Sequence, residues 1–210
     1  VELLLMAILS KKQIEELMLT EQYDKRLIIT PILDPEKQLS TSTIDLRLGS
    51  KFKVDLKTRM PFIDPLENSR PISTFFDETY RDFGEKFLVY PGQLVIGSTF
   101  EYVRIPNNVF GVLTTRSSWN RLGISISTIV QPGYAGVLTL DIINQSSNPI
   151  ALYPGLRLTQ LVLFSIDDHS EKELGYLTSP ISKYKATSEP ILSSIDADKD
   201  LQTLREKFPF

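Results

Sequence analysis

Two textures of apolar spacing divide the chain. Near its start Ile14, Leu17 and Met18 recur every three or four residues, which puts them on one face of a helix. Ser10 followed three residues later by Gln13 has capping-box spacing, so the helix is predicted to begin just after Ser10. Beyond residue 26 the apolar interval shortens. Short runs of β-branched and aromatic residues stand at Lys51–Val54, Phe87–Tyr90, Gln93–Ile96, Val109–Leu113, Ile124–Ser127, Val137–Asn144, Ile150–Tyr153 and Leu158–Phe164. Turn formers separate them: Pro91-Gly92, Pro106-Asn107-Asn108, Pro132-Gly133 and Pro154-Gly155. Many short strands with regular turn signals predict an all-β sandwich or barrel with a few short helices.

The run Val137–Asn144 alternates. Leu138, Leu140 and Ile142 share one face, and Asp141 lies on the other with Val137, Thr139 and Ile143. A lone aspartate on a strand is ordinarily a solvated residue. Among apolar neighbours, however, its pKa is raised and it can act as a general base. The stretch 55–86 is charged and proline-containing, with scattered Phe62, Phe75, Phe76 and Tyr80. It reads as an insertion packed on the β core. The tail, 170–210, is polar and ends in a predicted short helix carrying Leu201 and Leu204. The expectation is one domain over 1–210, with the tail available as a lid.

Composition removes several function classes. The chain has 210 residues, 41% of them hydrophobic, enough for an ordinary core. No apolar run reaches the ~18–20 residues needed to span a bilayer. The apolar opening, Val1 to Leu9, is short and has no basic leader, so a non-secreted, cytoplasmic protein is expected. There is no cysteine, which excludes disulfides and thiolate zinc sites. The single histidine, His169, sits in the charged run Asp167–Lys172 and reads as part of a solvated loop. A zinc nucleobase deaminase needs a His/Cys/Cys-type cluster that this chain cannot build. A net charge of −3 argues against a broad nucleic-acid surface, yet leaves room for a local anion site.

Four stretches could carry chemistry. In Thr115–Gly123, Arg116 and Arg121 bracket Ser117 and Ser118; guanidinium groups fork onto phosphate oxygens, and a serine can hold a water. Gln131-Pro132-Gly133-Tyr134 is a tight turn leading into the strand of Asp141. Tyr153–Leu161, with Gln160, is a turn into a strand. Lys183-Tyr184-Lys185 is a basic point in the tail that could close over a polyphosphate. Each stretch taken alone also has an ordinary reading as surface or core.

Together they resemble the dCTP deaminases of the dUTPase superfamily. The resemblance also takes in Ser42–Gly49, Gly97–Pro106, Asn148-Pro149-Ile150 and Ser193–Asp196, in family order along nearly the whole chain. It implies a distorted β-barrel or jelly roll of dUTPase-like type and a homotrimer with active sites shared between subunits; the composition has already argued against a membrane or nucleic-acid partner. The implied reaction is zinc-independent deamination of dCTP to dUTP with release of ammonia, feeding dUMP and dTTP synthesis. Mg²⁺ is implied through the substrate triphosphate, with no metal held by the protein itself. Asp141 falls at the family's catalytic glutamate, with Ser117 and Arg121 as its catalytic companions. Arg116, Gln131, Tyr134, Gln160 and Lys183 fall at substrate-binding positions. Two features depart from the pattern: Asp141 is one methylene shorter than glutamate, and the segment before Pro132 is a few residues short, with Gln131 where an acid is expected. They keep two alternatives in view, a dUTP-type pyrophosphatase and a deoxynucleotide-binding protein that has lost catalysis.

Overall fold

The computed structural model describes residues 7–58, 62–64, 71–166, 187–195 and 198–207. Helix α1 (Lys11–Leu19) begins where the capping box predicts: Ser10 Oγ accepts from the Gln13 N–H, and the Gln13 side chain accepts from the Ser10 N–H. Ile14 is buried, and Leu17 and Met18 pack beside it. After β1 (Ile28–Thr30), the short helix α2 (Pro35–Gln38) is capped by the Asp34 side chain and started by a proline, whose fixed φ suits a first helical position.

The rest of the described chain is almost wholly antiparallel strands: β2 (Thr43–Arg47), β3 (Lys51–Asp55), β4 (Phe76–Tyr80), β5 (Phe87–Val89), β6 (Leu94–Arg104) and β7 (Val109–Thr115). The helix α3 (Ser117–Leu122) interrupts them. Then come β8 (Ile124–Ser125), β9 (Ser127–Val130), β10 (Ala135–Asn144), β11 (Ile150–Leu152), β12 (Arg157–Ser165) and, in the tail, helix α4 (Lys199–Lys207). One sheet runs β4-β3-β6-β10-β8 with β1 also on β6; a second runs β2-β12-β7-β9; β11 and β5 form a pair. The chain passes repeatedly from sheet to sheet, the connectivity of a distorted jelly roll. Leu46, Phe52, Leu113, Leu140, Ile142 and Leu161 fill the space between the layers with little or no exposure.

Every strand run expected from the sequence lies in a strand. Ile124–Ser127 divides into two, because Ile126 bonds to Thr115 through both its N–H and its C=O. Strands β1, β2 and β4 were not among the expected runs: β1 is three residues long, and β2 alternates Ile44 and Leu46 with Thr43, Asp45 and Arg47 instead of forming a continuous apolar run. Within 55–86, β4 pairs with β3 at five positions, from Lys51 opposite Tyr80 to Asp55 opposite Phe76, and so forms an edge of the larger sheet. The expected C-terminal helix is α4. No helix among the described residues is long and apolar enough to cross a membrane.

The long strands β6 and β10 organise the site. They pair from Ala135 opposite Arg104 to Ile143 opposite Leu94, with a register shift between Val137 and Thr139. At the shift the Leu138 N–H donates to Thr99 Oγ1 at 2.9 Å. The alternation read from the sequence holds: Leu138, Leu140 and Ile142 are buried, whereas Asp141 and Ile143 are exposed on the other face.

Candidate active site

A cavity of about 430 Å³ lies over that other face of β10. Asp141 and Thr139 form part of its floor. Leu94 and Ile96 of β6 and Phe76 of β4 wall it, and Gln131 and Tyr134 enter from the turn before β10. The turn is rigid. Gly133 takes a positive φ of 75°, the Tyr134 N–H donates to Gln131 O at 3.1 Å, and the Tyr134 hydroxyl donates to Val137 O at 2.6 Å. Asp141 keeps an exposed side toward solvent, yet partial desolvation by these apolar walls raises its carboxyl above the ordinary pKa of 3.8, and no opposing cation is among the causes. A carboxylate partly stripped of water and without counter-charge is a stronger base than one in solution.

The tail closes one side of this cavity. The Val137 N–H donates to Thr187 O at 2.8 Å, Lys51 pairs with Glu189, and Ile191 and Leu192 reach the cavity wall. Gly136 permits the approach: a Cβ there would stand 2.8 Å from Thr187 N and 2.9 Å from its O.

A second polar centre is built on β2. Asp45, 4% exposed, receives Arg116 Nε at 2.9 Å and Arg157 Nη1 at 3.2 Å on one carboxylate oxygen, and Gln160 Nε2 at 3.2 Å on the other. Arg116 is the residue from which α3 starts. Ser117 and Arg121 lie on that helix and are exposed, while Trp119 packs it against the core. Gly123 ends the helix at φ 105°, a conformation L side chains rarely adopt, with Ser146 within 2.8 Å of its would-be Cβ.

The structure therefore sorts the residues singled out in the sequence. Asp141, Gln131 and Tyr134 share one cavity. Arg116 and Gln160 meet at Asp45, with Ser117 and Arg121 next along α3. Within one chain, none of this second group lines the Asp141 cavity. Lys183 and His169 lie outside the described residues. Sequence reasoning missed Asp45 as the hub of the cationic group, Arg157 as its second guanidinium, and Phe76 as a cavity wall. The one available signal for Asp45 was a carboxylate inside a short strand otherwise flanked by Ile44 and Leu46. A third acid was also missed: Glu101 on β6 is fully buried, accepts from Gln38 Nε2 at 2.9 Å and from the Arg47 N–H at 2.8 Å, and is pushed up to about 7 by burial. Among the described residues no cluster of three or more acidic, histidine or cysteine side chains is placed to hold a metal ion.

The fold and the site together define a class of β protein, a distorted jelly roll with an acid on β10 and an Arg-Ser-Ser start to α3. Within it the chain belongs to the dCTP deaminase-like family, whose model matches residues 8–166. It is 35% identical over 199 residues to the dUMP-forming dCTP deaminase of Methanosphaera stadtmanae, covering 93% of this chain and 98% of that protein. A dUMP-forming dCTP deaminase of Methanobrevibacter smithii is 34% identical over 94% of this chain and 100% of its own length. The dCTP deaminase of Natronomonas pharaonis is 35% identical over 83% of this chain and 89% of its own. Among solved structures, the 2′-deoxycytidine 5′-triphosphate deaminase of Agrobacterium tumefaciens superposes with a TM-score of 0.57 at 24% identity. That match covers 76% of this chain and about half (48%) of the Agrobacterium chain, and it bears on the fold alone.

Proposed function

We propose that the chain hydrolyses dCTP to dUTP and ammonia, with Asp141 as the general base. The observation that carries this reading is the Asp141 carboxyl, raised in pKa by burial on the floor of a cavity large enough for a nucleoside. The carboxylate takes a proton from water, and the resulting hydroxide adds to C4 of the cytosine. The same carboxyl then returns its proton to the departing amine, so that water is consumed and ammonia released. Tyr134, fixed by its bond to Val137 O, packs against the deoxyribose, and Gln131 flanks the base.

The cationic group lies away from the cavity in a single chain. The reading therefore has a neighbouring subunit of a homotrimer supply Ser117 and Arg121 at the reacting water and Arg116 at the phosphates, with Gln160 beside it and Lys183 closing from the tail. Mg²⁺ belongs to the substrate as the counter-ion of its triphosphate. The chemistry suits a cytoplasmic nucleotide enzyme.

A second reading, that the product continues to dUMP, is favoured by the names of the two methanogen relatives and disfavoured by Gln131, which cannot activate a water as an acid would. One assay separates the readings. The purified protein is incubated with each pyrimidine deoxynucleoside triphosphate and Mg²⁺, and ammonia and pyrophosphate are measured. Ammonia alone from dCTP supports the proposal, and ammonia with pyrophosphate supports dUMP formation. Pyrophosphate from dUTP with no ammonia from dCTP, or binding without turnover, overturns both.

A further inference from the structure

We propose that Asp45 is a positioning residue that sets Arg116 and Arg157 as a paired grip for the substrate's polyphosphate, an inference that rests on the function proposed above. Its carboxylate is nearly buried and is met from two other elements. Arg116 comes from the start of α3, while Arg157 and Gln160 come from β12. Backbone contacts fix the same side chains further. Arg116 Nη1 donates to Arg157 O at 3.2 Å, Arg157 Nη1 donates to Lys37 O at 2.5 Å, and the backbone oxygen of Asp45 accepts from Gln38 Nε2 at 3.2 Å.

Two consequences follow from charge and geometry. The ion pair of Nε with Asp45 and the Nη1 hydrogen bond to Arg157 O restrict the Arg116 guanidinium from two sides, and Nη2 and the second Nη1 hydrogen are left for a ligand. A guanidinium whose rotamers are already restricted gives up less side-chain freedom on binding an anion than a free one does. Second, two guanidinium groups share one carboxylate. The cluster keeps one surplus positive charge, and its arginine side chains retain 28% and 25% exposure, enough for a phosphate oxygen to reach them. A purely structural ion pair has no need of a second guanidinium. Arg157 thereby joins Arg116 as a phosphate contact.

The test uses the full chain with inorganic tripolyphosphate as probe, by titration calorimetry, alongside steady-state assays on dCTP. Asp45→Asn keeps the size of the side chain and the acceptor for Gln160 but removes the charge. It should weaken tripolyphosphate binding about tenfold and raise KM for dCTP by a similar factor, with kcat changed less than about threefold. On an Arg116→Ala background the same substitution should have a clearly smaller effect. Wild-type protein that does not bind tripolyphosphate overturns the proposal. So does D45N affinity within twofold of wild type, an undiminished effect on the R116A background, or a fall in kcat at constant KM. If D45N does not fold, Asp45→Glu carries the test by displacing the charge one methylene, and unchanged affinity again overturns the proposal. Protein that binds the probe normally but releases no ammonia from dCTP counts against the proposed function and leaves this inference standing.

Discussion

Asp141 and Asp45 are the same residue on neighbouring layers of one fold, in opposite surroundings. Asp141 looks into a cavity walled by Leu94, Ile96 and Phe76, where burial is the sole cause raising its pKa. Asp45 is more deeply buried yet meets two guanidinium groups in ion pairs and accepts hydrogen bonds from Arg157 and Gln160. Removing water from a carboxylate without replacing the lost interactions makes a base. Removing water while supplying cations makes an anchor. Glu101 stands between the two: it is fully buried and hydrogen-bonded to Gln38 and the Arg47 N–H, yet its pKa is pushed up to about 7.

The contrast can be broken most directly at its reactive end. Asp141→Asn should lower ammonia release from dCTP by about 10²–10⁴-fold, the usual contribution of a general base, while dCTP affinity changes less than about threefold. Full activity in that variant would remove Asp141 from the chemistry.

Glu101 gives the next largest effect, on stability. Its folded pKa of about 7 exceeds the ordinary 4.5, so the folded state binds the extra proton. The contribution to stability is fully present below about 4.5 and is lost as pH rises through about 7, amounting to a few kcal/mol. Glu101→Gln, with one acceptor where the carboxylate has two, should be destabilised by about 1–2 kcal/mol at low pH. Its urea-derived stability should nevertheless fall less between pH 5 and pH 8 than that of the wild type. Parallel curves for the two proteins would show that Glu101 does not titrate in this range.

A smaller effect tests the cause assigned to Asp141. Leu94→Asn puts a polar group into the cavity wall and should move the acid limb of kcat/KM to lower pH, because the desolvation raising the carboxyl is relieved. An unmoved limb would mean that the limb reports another group. The smallest change concerns the tail. Gly136→Ala forces a methyl group against the Thr187 backbone, so the segment 187–195 should become more readily cleaved by protease while the melting temperature shifts by only a few degrees. Unchanged cleavage would show that the tail is not held at this point.

Much of this molecule can be read along the chain, because the relevant signals are local. The capping box at Ser10 and Gln13 starts α1 where its spacing says. The alternation of Val137–Asn144 puts Leu140 in the core and Asp141 outside it, since strand geometry sends successive side chains to opposite faces whatever the partner strand. The Pro-Gly turns mark the strand ends, and the motif resemblance leads to the dCTP deaminase-like family. Strand β2, with Leu48 just after it, carries the same alternation, Ile44, Leu46 and Leu48 against Thr43, Asp45 and Arg47, a local strand signal that a search for continuous apolar runs does not register.

Tertiary structure alone decided what each charged group meets. Asp45 and Gln160 are 115 positions apart and touch only because β2 pairs with β12. Phe76 reaches the cavity only because β4 extends the sheet beyond β3. The sequence determined the elements and the faces they present, since those follow from backbone geometry over a few residues. Which acid became an anchor and which was left short of water followed from strand pairing, because the dielectric and the counter-charge around a carboxylate are set by residues distant in the chain.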